Sequence, residues 1–268
     1  MSLENSSPAA GLGPREQSSI LEQVKTRFRE IAEREGMLNV EISVLAKPLT
    51  PEEAIGTPGR RDYPIIIGKE RVIEASVLGS KGHAFTDSPR DFLGTLGDVL
   101  KLDLDTNQSR AVFIATLNAA LRSLGMVGGT VHCKDEDPEK CAGEIAEIVS
   151  EKHGKTKVGL IGLNPAIAER LTETFGSDRV FITDLNPDNI GARRFGVEIW
   201  DGSHRTADLV EAADVIILTG TTLVNDTFDA ILGLVRDHGK DYLVYGVTTA
   251  GVSELLGFER ICPYGRDG

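Results

Sequence analysis

Long apolar runs are missing from this sequence of 268 residues, although 40% of the residues are hydrophobic. No run approaches the length that a bilayer-spanning helix needs, and the first residues lack the basic-then-apolar pattern of a secretory signal. Three cysteines are also too few for a disulfide framework in a chain of this length. We therefore predict a reducing, cytoplasmic location in which the thiols are free or bound to metal.

An excess of positive charge is missing as well. The chain has 29 Lys and Arg residues against 41 Asp and Glu residues, which gives a formal net charge of −12. Residues 1–155 and residues 156–268 are both acidic, so neither part supplies a basic surface. Because phosphate backbones and anionic lipids attract cationic surfaces, we expect no nucleic-acid partner and no membrane partner.

Signatures of several enzyme classes are absent too. The sequence contains no nucleophile elbow, no P-loop, no H-E-x-x-H motif and no kinase signature. It also contains no triad or pair of carboxylates at a catalytic spacing, so no general base or nucleophile is assigned. Whether the protein is an enzyme therefore stays open at this point.

Composition and periodicity divide the chain into four segments. Residues 1–18 are rich in Ser, Pro, Gly and Ala and are predicted to form a disordered leader. Residues 19–127 are predicted to form an α+β domain, and residues 128–155 a connecting strand (Thr130–Cys133) and helix (from Pro138). The elements predicted within 19–127 are a helix from Ser19, strands at Val40–Ala46, Tyr63–Ile67 and Val72–Leu78 with a hairpin turn at Gly68-Lys69, and helices at Phe92–Leu102 and Arg110–Leu124.

Residues 156–268 alternate regularly between strand and helix patterns. Apolar runs such as VIILTG and YLVYG are typical of strands that are covered on both faces, which predicts a mostly parallel sheet. The fold class is therefore α/β, with a Rossmann-like sheet after a smaller α+β domain. The predicted strands are Lys157–Gly162, Arg179–Thr183, Val197–Trp200, Asp214–Thr219, Tyr242–Tyr245 and Arg260–Cys262, and the predicted helices are Pro165–Phe175, Leu209–Ala212, Val224–Asp237 and Val252–Leu256.

The stretch KVGLIGLNPAIAERLTETFGSDRVFITDL predicts the first strand–helix–strand unit of this sheet. Gly162 lets the backbone approach a ligand, and Pro165 suits the first helical position, with free amides pointing outward beyond it. Asp184 follows at the spacing where an acidic group accepts hydrogen bonds from ribose. Asn164 and Ala166 stand where a dinucleotide fingerprint has glycines, which argues against classical NAD binding. The alternative is an ordinary turn in which Asp184 caps the next turn.

Two further loops follow strands at the same edge of the predicted sheet. GTTLVNDTFDAIL places Thr221, Thr222 and Asn225 beside a first helical turn, where they offer donors to an anion or a carbonyl. YGVTTAG places Thr248 and Thr249 after the next strand. The alternative is helix capping, which needs no ligand. Because the carboxyl ends of parallel strands share one edge, the three loops predict a common ligand site.

The segment VHCKDEDPEKC brings together possible metal ligands. His132, Cys133 and Cys141 offer imidazole and thiolate, which suit zinc, copper or iron. The spacing of the two cysteines is not a standard one for structural zinc, and Cys141 alternatively belongs to the core. The segment therefore predicts a looser metal site between the two domains, with ordinary packing as the alternative.

The segments AFTDSPRDFLGTL, RAVFIATLNAALRSLG, TVHCKDEDPEKCA, KVGLIGLNPA and GTTLVNDTFDAIL together resemble the family named putative heavy-metal chelation. The resemblance implies a domain like the N-terminal domain of enolase, followed by a Rossmann-like domain. It also implies a site in the cleft between these domains and suggests metal chelation. The His132–Cys141 segment and the Thr221–Asn225 loop are then expected to face that cleft.

Three functions are consistent with these observations. The leading hypothesis is the binding of a small anionic ligand, or of a transition-metal complex, in the interdomain cleft. The second is an enzyme with a nucleotide-type cofactor, NAD(P) or S-adenosylmethionine, whose ribose binds Asp184. The third is a non-catalytic carrier or regulator in metal homeostasis. The expected partner is thus a small molecule or a metal, and the formation of a homodimer stays open.

Overall fold

The computed structural model describes residues 18–45, 49–68 and 70–268. The predicted leader, residues 1–18, lies outside the described residues apart from Ser18. The described chain has a mixed α/β fold with two sheets, and the larger sheet is mostly parallel. In the part of the chain that is described, no helix combines the length and the apolar character that crossing a bilayer requires.

The N-terminal elements form an antiparallel sheet that packs against helices. The helices are α1 (Ile20–Arg34), α2 (Pro51–Ile55), α3 (Leu96–Val99) and α4 (Asn107–Ser123). The strands are β1 (Glu41–Leu45), β2 (Arg71–Val77), β3 (Ser80–Thr86) and β4 (Phe92–Thr95), in the order β3-β2-β1-β4. Helix α4 packs on β2 and β3 and is buried continuously from Ser109 to Leu121, as its broad apolar surface predicts.

The hairpin in this sheet differs from the prediction. Its turn lies at Leu78-Gly79, between β2 and β3, and not at Gly68-Lys69, of which Lys69 is outside the described residues. The apolar run Tyr63–Ile67, predicted as a strand, forms a turn in which Tyr63 and Ile65 are buried. An apolar run this short does not distinguish a strand from a packed turn.

The prediction of a helix at Phe92–Leu102 is also wrong for the first four residues. Residues Phe92–Thr95 form strand β4, which pairs with β1. Helix α3 begins only at Leu96 because Thr95 and Asp98 form a capping box, in which each side chain accepts a hydrogen bond from the backbone N–H of the other residue.

The C-terminal elements form a seven-stranded sheet. Its strands are β5 (Val158–Ile161), β6 (Val180–Asp184), β7 (Arg193–Arg194), β8 (Val197–Asp201), β9 (Val215–Thr219), β10 (Asp241–Tyr245) and β11 (Arg260–Ile261). The order is β11-β10-β9-β5-β6-β8-β7, and all neighbours are parallel except β7 and β8. The direction of winding reverses between β5 and β9, so a crevice opens between their carboxyl ends.

Helices cover both faces of this sheet. They are α5 (Asp137–His153), α6 (Pro165–Phe175), α7 (Gly202–Ala212), α8 (Thr221–Val224), α9 (Phe228–Asp237) and α10 (Ala250–Leu256), which a 3₁₀ turn at Val247–Thr249 precedes. The helix predicted at Val224–Asp237 is interrupted at Asp226, which has a positive φ of 66°. Helix α7 begins earlier than predicted because Asp201 caps it by accepting from the Ser203 N–H.

The segment Thr130–Cys133, which was predicted as a strand, contributes one isolated β-bridge, in which Val131 pairs with Arg266. The connecting helix begins at Asp137, one residue before the predicted start at Pro138, and Glu136 occupies its cap position without a side-chain hydrogen bond. The chain around Cys133 therefore lacks the regular alternation of a strand.

Buried apolar clusters lie on the two faces of the parallel sheet. Along β5, Ile161 belongs to the cluster that includes α7, α9 and also α1 and α4, whereas Leu160 belongs to the cluster that includes α5 and α6. The first cluster thus joins N-terminal helices to C-terminal ones. The predicted boundaries, 19–127, 128–155 and 156–268, stay predictions, and buried apolar contacts run across them.

Candidate ligand cavity

A cavity of about 1050 Å³ lies at the carboxyl ends of β5, β6, β9 and β10, and residues around β3 and the chain before β2 close its other side. Its volume is in the range of small-molecule and cofactor sites. All the predicted site residues except Thr249 line it. Those that do are Gly162, Asn164, Asp184, Thr221, Thr222, Asn225, Thr248, His132, Cys133 and Cys141.

The turn between β5 and α6 packs closely against its neighbours. Gly162 has a φ of 89°, and a Cβ atom at this position would lie 2.5 Å from Cγ2 of Thr219, so a side chain is excluded here. Asn164 caps α6, because its Oδ1 accepts from the N–H groups of Ala166 and Ile167 at 3.1 and 3.2 Å. The prediction of outward-pointing free amides is therefore wrong at these two positions, since Asn164 satisfies them.

Asp184 connects this turn to the loop after β6. Its Oδ2 accepts from the Leu163 N–H at 2.7 Å, and its Oδ1 accepts from the Asn186 N–H at 2.7 Å and from Asn189 Nδ2 at 3.2 Å. A carboxylate offers about four acceptor positions, so about one remains for a ligand. The role of Asp184 in binding ribose stays a prediction, and its role in joining the two loops is visible in the bonds.

The loop after β9 satisfies most of its hydroxyl groups internally. Thr222 Oγ1 donates to the Thr219 carbonyl at 2.6 Å, and Thr221 Oγ1 donates to Thr219 Oγ1 at 3.2 Å. Asn225 Oδ1 accepts from Thr227 Oγ1 at 2.7 Å. Neither α8 nor α9 has a side-chain cap, so the alternative of helix capping is wrong for Thr222 and Asn225. All five residues line the cavity.

The loop after β10 joins the two sheets. Thr248 Oγ1 accepts from the backbone N–H of Phe85 on β3 at 3.1 Å. Thr249 does not line the cavity, because its side chain is buried and donates to the Gly246 carbonyl at 3.1 Å. Thr248 therefore holds the cavity wall in place, and Thr249 supports the turn behind it.

Three cysteines line the cavity: the predicted Cys133 and Cys141, and Cys262, which no sequence motif marks. Burial raises the pKa of Cys133 to about 12, and the charges of Cys262 and Asp137 add to this shift. Burial, followed by the charges of Cys262 and Cys133, also raises the pKa of Cys141, and burial raises that of Cys262. All three are therefore protonated thiols at neutral pH.

His132 presents a neutral imidazole next to these thiols. Its Nδ1 lies 2.6 Å from the Cys133 carbonyl, and because a carbonyl only accepts, Nδ1 carries the proton and Nε2 keeps a lone pair. Burial lowers the pKa of His132 to about 4. The backbone N–H of His132 donates to His83 Nδ1 at 3.2 Å, and His83 Nε2 in turn donates to Glu74 at 3.0 Å. Glu74 and His83 thus hold the position of the His132 backbone.

Within the described residues, no group of three or more His, Cys, Asp or Glu side chains is arranged to hold a metal ion. The predicted ligands His132, Cys133 and Cys141 therefore share a cavity without forming a preassembled centre. Their donor types fit a soft or borderline metal ion such as zinc, copper or iron. Binding would require the thiols to lose protons and the side chains to move together.

Acidic side chains face the cavity, and among its described lining residues there is no Lys or Arg. The carboxylates are those of Glu70, Asp87 and Asp184. Burial, together with the charges of Asp184 and Asp87, raises the pKa of Glu70 to about 7. Glu70 follows the predicted hairpin turn, and no sequence pattern marks it. A cavity with this charge favours a cation or a neutral molecule over a free anion.

Comparison with known proteins finds a family in the C-terminal part of the chain. The model of the DUF364 family, described as putative heavy-metal chelation, matches residues 144–258. The predicted resemblance to this family is confirmed over that range, which contains β5 to β10. The matched range does not include His132 or the three cysteines. No curated protein matches this chain.

Two solved structures of DUF364 proteins are similar to this fold, and both are described as proteins of unknown function. The structure from Pyrococcus horikoshii is 14% identical, covers 86% of this chain and 80% of its own, and has a TM-score of 0.51. The structure from Desulfitobacterium hafniense is also 14% identical, covers 69% and 72%, and has a TM-score of 0.46. At this identity the first structure supports a common fold and nothing about the ligand.

Proposed function

We propose that this protein binds a transition-metal ion, or a small complex that carries one, in the cavity. The observation that supports this function is that three thiols, those of Cys133, Cys141 and Cys262, line the same cavity as the neutral imidazole of His132. Sulfur and imidazole nitrogen together are the donors that zinc, copper and iron prefer. The description of the family points in the same direction.

The protonation of these groups determines how the metal binds. Because burial raises the pKa values of the thiols, each thiol that becomes a ligand releases a proton at neutral pH. The His132 ring is already neutral and has its Nε2 lone pair available. The affinity for metal should therefore rise with pH, and the incoming ion must draw the thiolates together or bring ligands of its own.

The charge of the cavity distinguishes between the two ligands of the leading hypothesis, a small anion and a transition-metal complex. A free anion has little support, since the described lining carries Glu70, Asp87 and Asp184 but neither Lys nor Arg. A metal cation, or a complex with net positive charge, is compatible with these carboxylates. The carrier hypothesis uses the same site and differs in expecting binding without turnover.

The test is metal uptake after metal-free purification and stoichiometric addition of zinc, copper(I) or iron(II), followed by elemental analysis. We expect about one metal ion per chain, the release of one proton for each thiol that becomes a ligand, and an affinity that rises with pH below the thiol pKa values. Cys141→Ser and Cys262→Ser should each lower the affinity by at least about tenfold. His238→Ala is the matched control, because His238 is exposed at the end of α9.

Retention of metal only at background level would overturn the proposal. The same conclusion follows if the two cysteine variants bind metal as tightly as the wild-type protein and the His238→Ala control. Circular dichroism of each variant establishes that the fold is intact before affinities are compared.

A second candidate function, an enzyme with a nucleotide-type cofactor, is favoured by the strand order. The parallel strands follow the order β8-β6-β5-β9-β10-β11, which is the order of doubly wound dinucleotide-binding sheets. We propose on this basis that the C-terminal sheet is Rossmann-like, and the relation of the N-terminal sheet to enolase likewise stays a proposal. The amides at Ala166 and Ile167 already have a partner, which disfavours a pyrophosphate there.

The two cofactors that the sequence suggests differ in charge. NAD(P) carries phosphates, whereas S-adenosylmethionine carries none and has a sulfonium cation, which suits a cavity with carboxylates and no described Lys or Arg. A thermal-shift screen with both cofactors tests this preference. We expect a shift with S-adenosylmethionine that Asp184→Ala abolishes, and shifts with neither cofactor would remove the second candidate.

A further inference from the structure

The hydroxyl group of Thr183 has no hydrogen-bond partner among the described residues, although the residue is only 1% exposed. Thr183 lies near the carboxyl end of β6 and lines the cavity. Two other buried hydroxyls, of Thr116 and Ser253, are also unpartnered in the described chain, but neither residue lines the cavity. Thr183 therefore lines the cavity and carries a buried hydroxyl that has no partner among the described residues.

Thr183 belongs to one side of the cavity. Side chains alternate along a strand, and Ile182 belongs to the apolar cluster with α5 and α6, so Thr183 is on the opposite face, with α7 and α9. Its neighbour in register on β5 is Ile161, which belongs to the cluster on that opposite face. We call this side the Thr183 lobe. Its lining residues are Ile161, Thr183, Thr206, Ala207, Ile231 and Leu234.

The chemistry of the Thr183 lobe differs from that of the thiol side. Most of its side chains are apolar, and Ala207 on α7 is exposed. The hydroxyl of Thr206 already donates to the Gly202 carbonyl at 2.7 Å. The Thr183 hydroxyl is thus the free polar group of an otherwise apolar lobe, an arrangement that suits a flat, uncharged ring with one polar edge.

The neighbouring carboxylate limits what such a ring can be attached to. Asp184 follows Thr183 directly in the sequence and accepts the hydrogen bond of the Leu163 N–H. This N–H lies at the start of α6, where a phosphate oxygen would otherwise bind. Among the described residues of the cavity there is also no Lys or Arg to neutralise a phosphate. Asp184 keeps about one acceptor position, enough for one sugar hydroxyl.

We propose that the Thr183 lobe binds the base of a nucleoside that carries no phosphate, with Thr183 Oγ1 as a hydrogen-bond partner of the base. This inference deepens the second candidate function by naming the part of the ligand and the side chain that recognises it. It is independent of the metal-binding proposal, which concerns the thiol side of the cavity.

The test uses isothermal titration calorimetry of the full chain with adenosine and with adenosine 5′-monophosphate. Adenosine should bind, and the monophosphate should bind at least about tenfold more weakly, because its phosphate meets carboxylates without a compensating Lys or Arg among the described lining residues. Thr183→Val keeps the shape and removes the hydroxyl, and it should weaken adenosine binding about five- to tenfold. Thr116→Val is the matched control, since it removes an equally buried, unpartnered hydroxyl on α4 and should leave the affinity unchanged.

The absence of adenosine binding to the wild-type protein would overturn the inference, and so would equal affinities for the two variants. Equal affinities for adenosine and its monophosphate would overturn the exclusion of phosphate. Zinc uptake measured on the same samples separates this result from the metal-binding proposal. If adenosine binds through Thr183 but S-adenosylmethionine causes no thermal shift, the cofactor function fails while the nucleoside site stands.

Discussion

The backbone amide of Leu163 donates a 2.7 Å hydrogen bond to the carboxylate of Asp184. The carboxylate thereby takes a position next to the start of α6, where the backbone amides of a helix N-terminus otherwise bind an anion. The same side chain holds the loop after β6 through Asn186 and Asn189. Asp184 therefore stabilises two cavity loops at once, and this role exists without any ligand.

Replacement of Asp184 by Ala should destabilise the protein. The change removes three hydrogen bonds to a charged acceptor and leaves the half-buried amides of Leu163 and Asn186 without a partner. We expect the free energy of unfolding to fall by about 2–4 kcal/mol, measured by urea denaturation. Asp105→Ala, on an exposed loop residue, is the control and should change it by less than about 0.5 kcal/mol. Equal stability of the two variants would mean that Asp184 does not support the loops.

The Glu74–His83 pair predicts a loss of stability in acid. Hydrogen bonding to His83 is the main reason why the pKa of Glu74 is lowered to about 2 from a usual value of 4.5. Because the folded-state pKa is depressed, the stabilisation is complete above about pH 4.5 and is lost as the pH falls toward 2. The wild-type protein should therefore lose up to about 3 kcal/mol over this window through Glu74, and Glu74→Gln should lose correspondingly less.

Urea unfolding at pH 7 and pH 3 measures this difference, with Glu147→Gln as the control at an exposed position. Glu74→Gln should also weaken metal uptake modestly at pH 7, because His83 then holds the His132 backbone less firmly. An acid dependence of Glu74→Gln identical to that of the wild-type protein would contradict the assignment.

Glu70 predicts the opposite dependence on pH. Burial, with the charges of Asp184 and Asp87, raises its pKa to about 7, so the folded protein binds a proton that the unfolded chain releases near pH 4.5. Stability through this group is therefore lost as the pH rises from about 4.5 through 7. Glu70→Gln should be more stable than the wild-type protein at pH 8, by at most about 3 kcal/mol, and equally stable at pH 4.

Thermal unfolding of both proteins at the two pH values checks this expectation. A cation bound near Glu70 should reduce the gain at pH 8, because it stabilises the ionised carboxylate of the wild-type protein. A Glu70→Gln variant that is less stable than the wild-type protein at pH 8 would show that the ionised carboxylate has a stabilising partner.

Local patterns predicted the C-terminal fold better than the details of the cavity. Helix α6 has the predicted bounds, Pro165–Phe175, because a proline at the start and a glycine at the end mark it in the sequence. Cys262 could not be assigned to the site, since only the pairing of β11 with β10 brings the end of the chain to the cavity. No sequence signal marks the unpartnered hydroxyl of Thr183 either, because whether a hydroxyl has a hydrogen-bond partner depends on which residues the fold places beside it.

The sequence also could not predict the hydrogen bonds of single side chains in the loops. The sequence offered either a ligand or a cap for Thr222 and Asn225 after β9, and both side chains instead make local hydrogen bonds that cap neither α8 nor α9. Yet the same residues line the cavity. Spacing alone does not reveal whether a donor is already satisfied, because that depends on side-chain geometry.

Asn118 provides a last prediction, about the contact between the N-terminal and C-terminal elements. This fully buried side chain on α4 donates at 3.0 Å to the carbonyls of His83 and Val247 and accepts from the Gly251 N–H at 2.7 Å. Asn118→Ala leaves these three backbone groups buried without a partner, so the free energy of unfolding should fall by about 3–5 kcal/mol. Urea denaturation measures this loss, with Asn39→Ala at an exposed position as the control.

The location of Asn118 adds a second, local readout. His83 and Val247 each adjoin a wall of the cavity, one on β3 and the other in the turn after β10. Loss of the bridging amide should therefore speed hydrogen exchange at Gly251 and lower the affinity for any cavity ligand, even where the rest of the fold persists. If exchange at Gly251 stays as slow as in the Asn39→Ala control, then the Asn118 amide does not hold the two sets of elements together.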